Sequence, residues 1–198
     1  MRILAFSDVH CAEAACRSLA ERSPEFDLVI GAGDFASMHH GLEPTIAALA
    51  AIEVPALLVP GNNETTEALR EACARWPVAT VLHGETTEIG GITFFGLGAG
   101  IPTTPWEWSF DLDEAAAEAE LADCPEGAVM VLHSPPHGHC DESSGGEHLG
   151  SSAIAAAIER LQPPLAVCGH IHESWGARSR IGASEVANLG PEGAVFEL

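Results

Sequence analysis

Two histidines stand at i and i+2 in Cys168-Gly169-His170-Ile171-His172-Glu173, directly after the apolar run Leu165-Ala166-Val167. In an extended segment alternate side chains share one side, so both imidazoles can turn toward a common point. Neutral imidazole is the commonest metal ligand among side chains. Alone, a His-x-His pair is equally at home on a surface or in a core, and its meaning depends on donors elsewhere. Four other apolar runs end in such donors: Asp8 and His10 after residues 2–6, Asp34 after 27–30, Asn62 after 54–59 and His133 after 128–132. Each has an ordinary reading by itself, as a turn aspartate, an Asx turn or a packed histidine. Repetition at five strand ends argues against coincidence and sets all the donors along one edge of a sheet. The seven N/O donors exceed one ion's usual shell. They suit two ions roughly 3.5–4 Å apart that share a carboxylate.

The elements that would carry these residues follow from periodicity. Strands are expected over residues 2–6, 27–30 and 54–59, with helices over 12–21, 43–51 and 64–75. This β-α-β-α-β-α order places polar residues at the carboxyl ends of strands, where open α/β sheets bind ligands. Residues 80–82, 85–89 and 92–97 read as short strands in antiparallel pairs. The loop 98–110 carries Trp106, Trp108 and Phe110, either a substrate lid or cover for a core edge. Asp111 is expected to open a helix over 112–121. A strand over 128–132 and a polar loop over 137–150 follow, then a helix over 153–161 capped by Ser151 or Ser152. After 165–167, strands are expected over 175–181, 184–187 and 194–197. No repeat, linker or boundary divides the 198 residues, so a single domain over 1–198 is expected.

The composition excludes several mechanisms. Net charge is −21 and lysine is absent, which rules out a P-loop lysine, a Schiff base or a lysine general base. An anionic substrate must therefore be met by one of eight arginines or by a bound cation. The acidic surface argues against long nucleic acid and anionic membranes as partners. The six cysteines have no C-x-x-C spacing and read as free thiols. No apolar run reaches the roughly 18 residues of a membrane span. No signal-like order precedes the first strand, and a cytoplasmic location is the expectation.

The ordered set Asp8-x-His10, Gly33-Asp34, Gly61-Asn62-Asn63-Glu64, His133 and Gly169-His170-x-His172 resembles the calcineurin-like metallophosphoesterase superfamily. His133-Ser134-Pro135-Pro136, Gly150-Ser151 and Asn188-Leu189-Gly190-Pro191 are similar to its small prokaryotic, Icc-related branch. The resemblance implies a four-layer α/β/β/α sandwich. It assigns Asp8, His10 and His172 to one ion and Asn62, His133 and His170 to the other, with Asp34 bridging. It further implies in-line attack on phosphorus by a metal-bridging hydroxide, with Asp34, Asn62 and Asn63 in the catalytic set. The donors lack thiolate, so manganese is the first expectation, with Fe, Zn and Co admissible.

Asn63 departs from the commonest family form, which has a histidine there to protonate the leaving oxygen. An amide can hydrogen-bond a phosphate oxygen but cannot donate a proton in that way. Other histidines are candidates to reach the substrate: His39 or His40 after the Asp34 turn, and His137, His139 and His148 in the polar loop, with His39, His137 and His148 foremost. The expected activity is a phosphodiesterase acting on a small phosphorylated compound. The alternatives are a phosphomonoesterase or nucleotide pyrophosphatase with the same site, or a phosphoesterase-like scaffold for a protein partner. A homodimer is compatible with all of them.

Overall fold

A computed structural model describes residues 1–198. Five strands form one mixed sheet: β1 (Arg2–Phe6), β2 (Leu28–Ala32), β3 (Ala56–Val59), β4 (Ala79–Val81) and β11 (Ala194–Glu197), in the order β11-β1-β2-β3-β4. The other six form a second: β5 (Glu85–Ile89), β6 (Ile92–Leu97), β7 (Val129–Leu132), β8 (Leu165–Cys168), β9 (Arg178–Ile181) and β10 (Ser184–Asn188), in the order β5-β6-β7-β8-β10-β9. Helices α1 (Glu13–Arg22), α2 (Leu42–Leu49) and α3 (Thr66–Cys73) cover the first sheet. Helices α4 (Glu114–Leu121) and α5 (Ser152–Leu161) cover the second.

The layering follows from side-chain alternation along each strand. In β1, Leu4 and Phe6 face the helical core with Leu19 and Ile46, while Ile3 and Ala5 face the second sheet. In β7, Met130 and Leu132 pack on Ile154 and Ile158, and Val129 and Val131 face back toward β1 and β2. Strands buried on both faces are apolar throughout, as parallel sheets between two covers require. Three apolar cores thus separate four layers, and the α/β/β/α sandwich is the observed architecture.

Several local expectations are corrected. The segment expected at 80–82 does not join an antiparallel set: β4 pairs parallel with β3, and only β5 and β6 form the antiparallel hairpin. The helix expected from residue 64 begins at Thr66, because Asn62-Asn63-Glu64 forms the turn after β3 and Thr65 caps α3 by accepting from the Ala68 N–H. Asp113, not Asp111, caps α4. Ser151 caps α5, and Glu114 on α4 accepts from the N–H groups of Ser152 and Ala153, tying the two helices together. The strand expected over 175–181 is confined to β9, and His172–Ser174 is a short 3-10 turn.

Candidate metal centre

The donors stand at the carboxyl ends of parallel strands from both sheets. Asp8 and His10 follow β1, Asp34 follows β2, Asn62 follows β3, His133 follows β7, and His170 and His172 follow β8. The edge is therefore built by two sheets meeting, not by one. Asp8, His10, Asp34 and His170 all have positive φ (55°, 39°, 59° and 68°). Non-glycine residues rarely hold this conformation, and each such residue costs roughly 1–3 kcal/mol unless its surroundings enforce it. Strain gathered at four donor positions marks a site whose geometry is maintained by the fold around it.

The positive φ of His170 also corrects the His-x-His reading. The segment is not extended beyond Cys168, and the two rings separate. His170 Nδ1 lies 3.1 Å from Asn62 Oδ1, whereas His172 Nε2 lies 3.1 Å from His10 Nε2. Two clusters result. Asp8, His10, Asp34 and His172 bring one donor atom each within 4.8 Å of one another, as do Asp34, His133 and His170. Asp34 belongs to both. Its Oδ2 is 3.5 Å from His10 Nε2, and its Oδ1 is 3.5 Å from His133 Nε2. Asn62 Oδ1 is 3.3 Å from His133 Nε2 and joins the second group. Donors that share an ion at about 2.0–2.2 Å stand roughly 3–3.5 Å apart, so these separations fit the binding of cations.

Neighbouring groups aim the rings. His10 Nδ1 donates to the Ala36 carbonyl at 3.0 Å and His133 Nδ1 to the Ala32 carbonyl at 2.8 Å, which leaves each Nε2 lone pair facing the centre. Burial, followed by the neighbouring His133, pushes His170 down to about 3 and keeps it neutral. Burial raises Asp8. Burial also works upward on Asp34, but His133, His10 and His170 together overcome it and lower that carboxyl. Asp8 accepts from the His170 N–H at 3.0 Å and from Trp175 Nε1 at 3.1 Å. Trp175 also lies over His172, ring centres 4.4 Å apart.

Glu64 is almost wholly buried and accepts three backbone N–H groups, Asp34 at 2.9 Å, Ala36 at 2.9 Å and Gly61 at 2.7 Å. Burial, then the charge on Asp34, raises it to about 7. It locks the turns after β2 and β3 together. The fit is close enough that a Cβ on Gly61 would fall 2.0 Å from Asp34 Oδ1. Asn63 lines the cleft, but its amide is committed: Nδ2 donates to Asp34 Oδ2 at 2.8 Å and Oδ1 accepts from Met38 N–H at 2.8 Å.

The remaining histidine candidates lie elsewhere. His39 bonds the Trp108 carbonyl, and neither it nor His137 or His148 lines the cleft over the centre. His148 Nδ1 sits 2.7 Å from buried Asp141, and His137 Nδ1 is 3.9 Å from the same carboxylate. The structure thus does not bring these three to the cleft wall. Loop 98–110 does reach the site: Ser109 Oγ accepts from Asn62 Nδ2 at 2.8 Å and donates to Asp111 at 2.6 Å, while Trp106 and Trp108 line the cleft. Sequence reasoning missed Ser109, Asp111 and Trp175. Their contacts span 47 residues from Asn62 to Ser109 and 167 from Asp8 to Trp175, and no local pattern announces them.

The calcineurin-like phosphoesterase superfamily domain matches residues 1–195. The chain belongs to that superfamily. A UPF0046 protein of Caenorhabditis elegans, T07D4.2, is 32% identical over 109 residues, covering 50% of this chain and 25% of that protein. Human metallophosphoesterase domain-containing protein 1 is 30% identical over 125 residues, 60% of this chain and 35% of its own length. The chain thus spans about a quarter to a third of the curated relatives it matches. Among solved structures, TT1561 of Thermus thermophilus shares the fold, with a TM-score of 0.78 at 20% identity over 96% of this chain and 90% of that one. The match covers every one of the donor residues, and the candidate metal ligands stand in two groups that share Asp34. No helix is long and apolar enough to cross a membrane.

Proposed function

We propose that this chain is a dinuclear-metal-dependent phosphodiesterase acting on a small phosphorylated compound. The observation that carries the reading is Asp34, whose two carboxylate oxygens each lie 3.5 Å from a histidine of a different donor group. Asp8, His10 and His172 would hold one cation, and Asn62, His133 and His170 the other. A carboxylate, amide and imidazole set suits Mn first, with Fe, Zn and Co admissible. Bound there, such ions would supply an activated water and neutralise phosphoryl charge.

The protein's own groups account for the rest. Carbonyl-bound Nδ1 atoms keep His10 and His133 aimed inward, and Glu64 and Asn63 hold Asp34. In the net reaction a water oxygen joins phosphorus, one ester P–O bond breaks, and the released alkoxide takes the water's proton. Asn63 cannot supply that proton, so esters of acidic alcohols should react fastest. The cleft is lined by Glu173 and by no arginine. A singly charged diester suits such walls better than a dianionic monoester or a pyrophosphate, which supports the diesterase reading over both. The acid excess argues against long nucleic acid as substrate.

The test is turnover of bis(p-nitrophenyl) phosphate by the purified protein with Mn²⁺, then Fe²⁺, Zn²⁺ and Co²⁺. Metal-dependent release of p-nitrophenol is expected. Silence with every metal, at confirmed metal occupancy, would refute the reading.

A further inference from the structure

The cleft over the candidate centre has a volume of about 510 Å³, within the range of about 300–1,000 Å³ that holds small-molecule ligands. Its walls differ sharply from its floor. The floor consists of polar donors, whereas Pro102, Pro105, Trp106 and Trp108 line one wall and Leu149 and Ile171 stand among the lining residues outside that loop. Trp106 and Trp108 are stacked, ring centres 5.5 Å apart and planes 9° from parallel. Trp106 is 51% exposed and Leu149 45%, so both leave apolar surface open at a cleft they line.

The stack is built, not adventitious. The His39 ring meets the Trp108 ring edge-on at 6.3 Å, and His39 Nε2 bonds the Trp108 carbonyl. Beyond the pair, Asp111 closes the loop by accepting from the Thr104 N–H at 2.7 Å and hydroxyl at 2.8 Å. Ser109 ties that loop to the metal-facing Asn62. The platform is therefore held at fixed distance from the candidate centre.

From this arrangement we infer that Trp106 and Trp108 form a recognition platform for phosphodiesters in which one ester group is a planar aromatic ring system. The inference rests on the phosphodiesterase reading. Flat π faces reward planar rings by stacking, over and above what any apolar group of equal size gains from burial. With no cation in the walls and Glu173 among them, further anionic groups on the substrate are disfavoured. The selected compound is one phosphate, one flat ring and little other charge.

The experiment compares equilibrium binding of three non-hydrolysable, singly charged diester analogues, methyl(1-naphthylmethyl)phosphinate, methyl(cyclohexylmethyl)phosphinate and methyl(octyl)phosphinate, to the Mn²⁺-treated protein by titration calorimetry. The naphthyl analogue is expected to bind at least tenfold more tightly than either alkyl analogue. Trp106→Ala should bring that ratio close to one, and Trp106→Phe should retain most of it. The neutral pair dimethyl 1-naphthyl phosphate and dimethyl cyclohexyl phosphate repeats the comparison without requiring cations. Equal affinities within each pair, or a ratio untouched by Trp106→Ala, would overturn the platform. A naphthyl preference in a protein that hydrolyses no diester would keep the platform and sink the phosphodiesterase reading; turnover without preference would do the reverse.

Discussion

Asn63 holds Asp34 at both oxygens: its backbone N–H donates to Oδ1 at 2.9 Å and its side-chain amide to Oδ2 at 2.8 Å. The residue at the position of the family's usual proton donor thus fixes the orientation of the carboxylate shared by both donor groups. Replacing it with alanine leaves a buried, charged oxygen without that partner, which typically costs about 1–3 kcal/mol. Asn63→Ala is therefore expected to lower the metal-free unfolding free energy by that amount in urea titrations, and to weaken Mn²⁺ binding. Unchanged stability together with unchanged Mn²⁺ affinity would mean that the amide does not position Asp34.

The shared carboxylate makes a second expectation, about stoichiometry. His172 serves one donor group, whereas Asp34 serves both. His172→Ala should lose one metal equivalent per chain and Asp34→Asn should lose most of both, as read by elemental analysis of the purified variants. Chelation should also lower the melting temperature of the wild type and leave that of Asp34→Asn nearly unmoved. A ligand at a hundred times its dissociation constant stabilises by about 2.7 kcal/mol, which is readily visible in a thermal scan. Retention of a full complement by Asp34→Asn would remove the bridging role.

Donor type and strand-end position were legible in the chain because the strands that carry them are buried on both faces and read as uninterrupted apolar runs. Asp8, Asp34, Asn62 and His133 each follow such a run, and the structure gathers them. Sheet membership was not legible, since an apolar run such as residues 56–59 does not state which neighbour it pairs with. The direction of the His170 and His172 rings was hidden for another reason: it depends on one left-handed residue, and a side-chain alternation rule assumes none. His137 and His148 look like substrate contacts by type and loop. They are drawn off by Asp141, four and seven residues away in the same loop, whose burial no local pattern announces.

Asp141 itself yields a pH expectation. Its side chain is buried, and it accepts from the N–H groups of Gly138 at 3.0 Å and Gly150 at 2.8 Å and from His148 at 2.7 Å. Burial works to raise it, but these bonds, led by Gly150, prevail and hold it below its ordinary value of 3.8. A carboxyl depressed on folding contributes stability above its unfolded pKa and loses that contribution as pH falls through its folded one. Asp141→Asn should therefore cost about 1–3 kcal/mol near neutrality, and the gap from wild type should close as pH falls below 3.8. Urea titrations of both proteins across that window check it. A gap that widens toward acid would contradict the assignment.

Trp175 offers the sharpest test of the outer support of the centre. Its indole N–H reaches Asp8 Oδ2 at 3.1 Å while its ring covers His172 at 4.4 Å, so one side chain steadies two donors of the same group by different means. Trp175→Phe keeps a ring over His172 and removes only the donor to Asp8; Trp175→Ala removes both. Loss of an outer partner to a metal ligand typically lowers affinity by about 10–100-fold. The phenylalanine variant is expected in the lower part of that range and the alanine variant at or beyond its top, measured by Mn²⁺ or Co²⁺ titration. The effect should fall on one of the two binding steps and spare the other, because both of these indole contacts fall in the group of Asp8 and His172. Equal weakening of both steps would show that Trp175 acts through general stability and not through Asp8 and His172.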